Sequence, residues 1–287
     1  MTVKIITDST SYIPKHWVDE LDINVISLNV SIEEDYYKET EISNEDFYRR
    51  IKESSKFPKS SQPELGELLN MIESEIVKGN EVLGIFLSSE MSGTYQSAEM
   101  VKQMVLDKHI NAKIEILDSK SNCMEMGWQV VEAAEHAKNG QSLSECLEKA
   151  KNIMHRSRFI FAPKNLDYLK MGGRIGGASG FLGTLLNIVP ILTVKDGKTD
   201  VITKVRTRKK ALIKLLEIFD EDCSNFGLEK VIVHHIDAEE LAKNLALELN
   251  TKYNLEVEIA PIGAVIGTHV GPGAIGLAYY TKKEMFR

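Results

Sequence analysis

Short apolar runs alternate with longer amphipathic stretches along the first half of the chain. Val3 to Thr7, Ile23 to Leu28, Val82 to Leu87 and Ile114 to Leu117 are brief and rich in β-branched residues, so they predict strands. Apolar positions recur at helical spacing over Asn44 to Glu53, Pro63 to Lys78, Gly93 to Asp107 and Ser121 to Lys138. Strand and helix in alternation predict a parallel sheet covered by helices. A further helix is predicted over Leu143 to His155, and the texture then changes at Phe159. Strands Ile191 to Lys195 and Asp200 to Val205 flank Asp196-Gly197, a dipeptide that supplies the positive φ of a tight hairpin turn. Helix Thr207 to Phe219, strand Val231 to His235, helix Ala238 to Leu249 and strand Glu256 to Ala260 follow. The second half therefore reads as α/β with a mixed or antiparallel sheet.

Length sharpens this picture. At 287 residues the chain passes the size at which one core usually stops growing. Two domains are expected, residues 1–157 and residues 158–287. A composition of 43% hydrophobic and 27% charged residues is that of an ordinary globular protein. A net charge of −7 leaves no electrostatic footprint for nucleic acid, and the basic cluster Lys204, Arg206, Arg208, Lys209 and Lys210 reads as a solvated helix start. Cys123, Cys146 and Cys223 are widely spaced and odd in number, which suits a reducing compartment. The N-terminus passes directly into a strand pattern without a signal-peptide core, so a cytoplasmic location is expected. The most apolar stretch, Phe181 to Val194, is shorter than the roughly 20 residues of a spanning helix and is interrupted by Asn187 and Pro190. It reads either as a buried helix feeding a strand or as a lip for an apolar ligand, through Phe181, Leu182, Leu185 and Ile188. A lip of that kind also leaves room for transient contact with a membrane.

In open parallel sheets ligands sit beyond the carboxyl ends of the strands, so the residues following each strand carry the interest. Thr7, Asp8, Ser9, Thr10 and Ser11 follow the first, and serve equally well as a helix cap or as pocket groups. Ser88, Ser89, Ser92, Gly93 and Thr94 precede a helix start, where unpaired amides and the positive dipole end make an anion site. Ser60 and Ser61 stand before Gln62-Pro63, with Pro63 suited to the first helical position. Late in the chain His269 lies in Gly263 to Ala274, a glycine-rich segment read as a loop, where a histidine is placed to donate to an anion or to satisfy a carbonyl. Leu169 to Gly177 reads as a helix end with a glycine tail.

Several chemistries are unsupported. The chain has no Walker A loop and no strand followed by GxGxxG. His234 and His235 are adjacent on a strand and point to opposite faces, which argues against a shared metal. Ser92, His269 and Asp8 match the residue types of a hydrolase triad. Glu90 and Thr94, however, stand where a nucleophile elbow carries glycines.

Together, Thr7 to Thr10, Ser60 to Pro63, Ser88-Ser89 with Ser92 to Ala98, Leu169 to Ile175 and Ile262 to Gly276 resemble the DegV family of bacterial fatty acid binding proteins. The motifs stand in family order and span nearly the whole chain. The resemblance implies an N-terminal Rossmann-like domain, a C-terminal α/β domain and a fatty acid ligand between the two, its carboxylate held by Ser60, Ser92 and His269. Thr7, Asp8, Ser9, Ser61, Gly93, Thr94, Gly267 and Thr268 are secondary pocket candidates. It implies no cofactor and no catalysis by this chain alone. It also implies a partner, a separate ATP-dependent fatty acid kinase that makes acyl phosphate, with Arg174 and Arg206 at the partner surface and a role in phospholipid metabolism. The chain departs from the family pattern at Glu64, which follows Gln-Pro where a small residue is common and would repel a carboxylate if it faced the pocket. Met171 and Val189 also replace expected lysines.

Overall fold

The computed structural model describes residues 2–181 and 188–285. The first half runs β1 (Val3–Asp8), a 3-10 turn (Ser9–Ser11), α1 (Lys15–Glu20), β2 (Asn24–Ile26), β3 (Asn29–Ile32), β4 (Asp35–Lys38), α2 (Asn44–Glu53), β5 (Lys59–Ser61) and α3 (Leu65–Val77). It continues with β6 (Glu81–Phe86), α4 (Thr94–Lys108), β7 (Ile114–Asp118), α5 (Cys123–Lys138) and α6 (Leu143–Arg156). The second half contains β8 (Ser157–Ala162), α7 (Asp167–Met171), a 3-10 helix (Gly176–Phe181), β9 (Val189–Lys195), β10 (Lys198–Val205) and α8 (Arg208–Phe226). It ends with β11 (Leu228–His235), α9 (Glu239–Tyr253), β12 (Glu258–Pro261), α10 (Ala264–Val270) and β13 (Ile275–Thr281).

Strands β2, β1, β6 and β7 form a parallel sheet in that order, with helices packed on it as the alternating pattern predicts. A six-stranded mixed sheet has the order β10-β9-β8-β13-β11-β12, antiparallel except for β11 with β12. The fold is thus α/β, with one parallel and one mixed sheet. Local chemistry accounts for several boundaries. Ser43 accepts the Asp46 amide at 3.1 Å to start α2, and Ser142 with Glu145 forms a reciprocal capping box at α6. Asp196 and Gly197, at φ 49° and 81°, both adopt the left-handed conformation of a tight hairpin turn between β9 and β10.

Two departures from the sequence reading bear on the site. Ile23 to Leu28 is not one strand: the chain leaves the parallel sheet after Ile26, and β3 pairs with β4 and β5 in a small antiparallel sheet. These strands have three or four residues each, too few for a two-residue period to declare itself. The glycine-rich segment around His269 is not a loop but contains helix α10. Ala264 to Thr268 and Val270 are buried there, and Gly267 lets the helix approach Tyr48 so closely that a Cβ would stand 2.1 Å from its hydroxyl.

Helix α5 joins the two sheets. Every residue from Cys123 to Ala134 is buried, as expected of a helix covered on all sides. The Trp128 indole donates to the Ala278 carbonyl of β13 at 3.2 Å and its ring meets Tyr280 edge-on. Glu125 accepts from the Ser121 hydroxyl at 2.7 Å and from the Phe159 amide at 3.0 Å, tying the start of α5 to β8. Among the described residues no helix is long and apolar enough to cross a membrane.

Candidate functional site

The carboxyl end of β1 turns its hydroxyls and acid to framework duty. Asp8 is fully buried; Oδ1 accepts from the Thr10 amide and hydroxyl, and Oδ2 accepts from the Leu87 amide at 2.8 Å. This carboxylate therefore fixes the ends of β1 and β6 to one another. Burial raises its pKa above the usual carboxylate value despite these hydrogen bonds. Ser9 donates to Glu39 and accepts from the Leu28 amide at 3.1 Å. Thr7 is buried at the end of β1.

A cavity of about 460 Å³ opens beyond this edge, a size within the roughly 300–1,000 Å³ typical of small-molecule sites. Both halves of the chain line it. Ser60 and Ser61 come from β5, Met91, Ser92 and Gly93 from the turn before α4, Asn122 from the start of α5, and Val265, Ile266, His269 and Val270 from α10. The lining sorts by exposure. Ser61, Gln62, Glu64 and Arg174 are exposed, whereas Leu28, Leu87, Phe159, Phe161, Leu169 and Val194 are buried. The exposed lining residues are accordingly polar, and most of the buried ones are apolar.

The Ser60 hydroxyl lies 2.7 Å from Nε2 of His269. Nδ1 of the same ring is buried and has no hydrogen-bond partner among the described residues. Burial, reinforced by the nearby Arg174 guanidinium, lowers the His269 pKa to about 4, so the ring is neutral at ordinary pH. Ser92 sits in the same cavity, its hydroxyl 2.9 Å from that of Thr94 and 3.3 Å from the Thr94 amide, where it serves the start of α4. Arg174 donates to the Met91 carbonyl at 3.0 Å and to the Gly172 carbonyl at 2.6 Å. Gly172 in turn packs on the imidazole, since a Cβ there would stand 2.3 Å from Nδ1.

The structure brings Ser60, Ser61, Ser92, Gly93 and His269 around one cavity. It places Thr7, Asp8, Ser9, Thr94, Gly267 and Thr268 in the frame behind it; Thr268, for example, donates to the Ala264 carbonyl of its own helix at 2.8 Å. Asp8 does not meet His269, so Ser92, His269 and Asp8 form no hydrogen-bonded series. Glu64 lines the cavity and is exposed. Arg174 lines the cavity, and Arg206 is exposed. Leu182, Leu185 and the Phe181 side chain lie outside the described residues; Ile188 is half-buried just before β9.

Spacing gave no notice of the groups that hold α10 in place. Glu39 and Tyr12 reach its first turn from the other half of the chain, and Tyr48 donates to the carbonyls of Ile262 and Gly263 at 3.2 and 3.1 Å. His234 braces the frame. Its Nε2 accepts the Met124 amide at 3.0 Å, so Nδ1 carries the proton and donates to the Ala260 carbonyl at 2.7 Å. Among the described residues no three His, Cys, Asp or Glu side chains are grouped to hold a metal ion.

Comparison with known proteins places this geometry. A family model for the DegV family, described as uncharacterised proteins, matches residues 2–282. A DegV domain-containing protein of Clostridium acetobutylicum is 49% identical over 285 residues, 99% of this chain and 100% of that one. The crystal structure of DegV from Bacillus subtilis, described as a fatty acid binding protein, matches with a TM-score of 0.87 and 36% identity, covering 98% of this chain and 100% of the other. A protein of Eubacterium ventriosum described as binding stearic acid matches with a TM-score of 0.89 and 27% identity, covering 98% of each chain.

Proposed function

The chain belongs to the DegV family, and on that premise we propose that it binds a long-chain fatty acid with the carboxylate at Ser60, Ser92 and His269 and the tail along the buried apolar lining. The observation that carries this reading is that the Ser60–His269 contact lies in the lining of a cavity whose buried walls are mostly apolar. An unpaired Nδ1 favours the tautomer with the proton on Nε2, because the alternative strands a buried N–H. His269 then donates to Ser60, and the Ser60 hydroxyl hydrogen is free to turn toward a carboxylate. Ser92 supplies a second hydroxyl.

Burying about 14 methylenes at ~0.8 kcal/mol each offers on the order of 11 kcal/mol before immobilisation costs, so the tail dominates affinity. The head group arrives ionised, and enclosing it without donors would cost several kcal/mol. Hydroxyls and a neutral imidazole offset that cost and fix the direction of the chain.

In this reading the protein is a carrier without chemistry of its own. It presents the carboxylate to a separate ATP-dependent fatty acid kinase, with exposed Arg174 and Arg206 on the side the partner meets. Arg174 supports this because it is exposed and lines the cavity at once. A hydrolytic reading draws on the same Ser60–His269 contact. Mass spectrometry of lipid released by denaturing the purified protein separates the two. Stoichiometric fatty acid with no ester turnover supports carriage; an empty protein that cleaves acyl esters, and loses this in Ser60→Ala, overturns it.

A further inference from the structure

Helix α10 has seven residues, too short to be stable by itself, yet it carries the histidine of the site. Its first turn is held from outside. The Val265 amide donates to Glu39 Oε1 at 2.8 Å, and the Ile266 amide donates to the Tyr12 hydroxyl at 3.1 Å. The Tyr12 hydroxyl in turn donates to the same Glu39 oxygen at 2.7 Å, and the Ser9 hydroxyl donates to the other oxygen. Two amides that a helix start leaves without internal partners are thus satisfied by side chains more than 200 residues away.

The placement is close-fitting. Glu39 is 7% exposed, and a Cβ on Gly263 would stand 2.7 Å from its Oε1, so the chain enters α10 pressed against the carboxylate. Val265 and His269 are four residues apart and share one helix face, so the amide that Glu39 grips lies one turn below the imidazole. Burial lifts the Glu39 carboxyl above its usual range, against the pull of the hydrogen bonds from Ser9, Val265 and Tyr12. Burying a carboxylate is costly, and its whole set of partners here serves the β1 turn and the start of α10.

We propose that Glu39 is the positioning residue of the head-group site: by clamping the first turn of α10 directly and through Tyr12, it sets His269 Nε2 opposite the Ser60 hydroxyl. The expected consequence for ligand rests on the fatty acid reading. Glutamine at this position keeps the size but turns a donor toward Ser9, Tyr12 or the Val265 amide, each of which now donates to the carboxylate.

The test uses the full chain, wild type and Glu39→Gln, with Tyr12→Phe as a milder variant that removes only the phenol link and carries the test if Glu39→Gln fails to fold. Palmitate and methyl palmitate are titrated, and the His269 imidazole nitrogens are followed by NMR without ligand. Palmitate affinity is expected to fall about tenfold while methyl palmitate stays within about twofold, and the ligand-free imidazole signals should move. Equal losses for acid and ester, or unchanged imidazole signals in both variants, would overturn the proposal. If the wild type binds neither compound, the fatty acid reading falls, and the imidazole comparison still decides the role of Glu39.

Discussion

Ser60 and His269 meet at 2.7 Å although 209 residues separate them in sequence. The contact exists because β5 pairs with β3 at the edge of the small sheet, and α10 packs against both strands. If both groups serve one carboxylate, their contributions are coupled. Ser60→Ala and His269→Ala should each weaken palmitate binding by roughly 1.5–3 kcal/mol, the range for hydrogen bonds to charged groups. The double variant should lose clearly less than the sum, by about 0.5–3 kcal/mol, measured by calorimetric titration of all four proteins. Strict additivity would mean the two side chains act on different parts of the ligand.

The parallel sheet was more legible than the site, whereas β8 and β13 of the mixed sheet went unread. Helix α2 was legible to the residue because Ser43 caps it and Phe47, Tyr48 and Ile51 fall on one face. The β9–β10 hairpin was legible from Asp196-Gly197. Helix α8 runs past Phe219 to Phe226, since Asp220 and Glu221 disguise its continuation, and it stops only at Gly227 with φ 73°. The hydroxyl-rich turns could be found but not sorted: Ser60 and Ser92 line the cavity, whereas Asp8 holds the ends of β1 and β6 together and Ser9 joins Glu39 to the Leu28 amide. That difference lies in which strand neighbours which, and local spacing carries no record of it. Glu39 was invisible for the same reason, as a single acid between a short strand and a helix.

Acid should destabilise the protein through its buried histidines. His234 and His269 have folded pKa values of about 4, lowered chiefly by burial, against an unperturbed 6.5. Between those values the unfolded chain binds more protons, so stability is fully present above pH 6.5 and is lost as pH falls toward 4. Each contributes a slope of up to about 1.4 kcal/mol per pH unit. Asp8 and Glu39, raised by burial, act in the opposite direction, so wild type must be compared with His234→Gln. Urea unfolding between pH 6.5 and 5 should show a shallower pH dependence in the variant, by about one proton. Identical slopes would show that His234 does not stay neutral in the folded state.

Gly172 offers a way to disturb the imidazole without touching its hydrogen bond. Its φ of −76° suits any residue, so alanine brings no backbone strain. The added Cβ would nevertheless stand 2.3 Å from His269 Nδ1 and 3.1 Å from the Tyr168 carbonyl, so the ring has to move. Gly172→Ala should weaken palmitate binding about tenfold, in keeping with the roughly 1–3 kcal/mol cost of overpacking. Gly66→Ala is the control: its Cβ meets nothing within 4 Å, and in α3 it should leave binding unchanged while stabilising the helix by up to ~1 kcal/mol.

Glu64 sets two demands against each other. It stands at the N-terminus of α3, where a negative charge favours the helix, and it also lines the cavity that would receive a carboxylate. Because the side chain is exposed, solvent weakens both effects, and each is worth less than about 1 kcal/mol. Glu64→Gln should therefore tighten palmitate binding by about two- to fivefold at low ionic strength and leave methyl palmitate unchanged. It should also lower the melting temperature slightly through the helix end. Salt discriminates repulsion from shape: the Debye length shrinks from about 10 Å at 0.1 M to about 3 Å at 1 M, so wild type and variant should converge as salt is added. A gain that persists in 1 M salt, or appears with the ester too, would mean that Glu64 obstructs the entrance by its bulk and not by its charge.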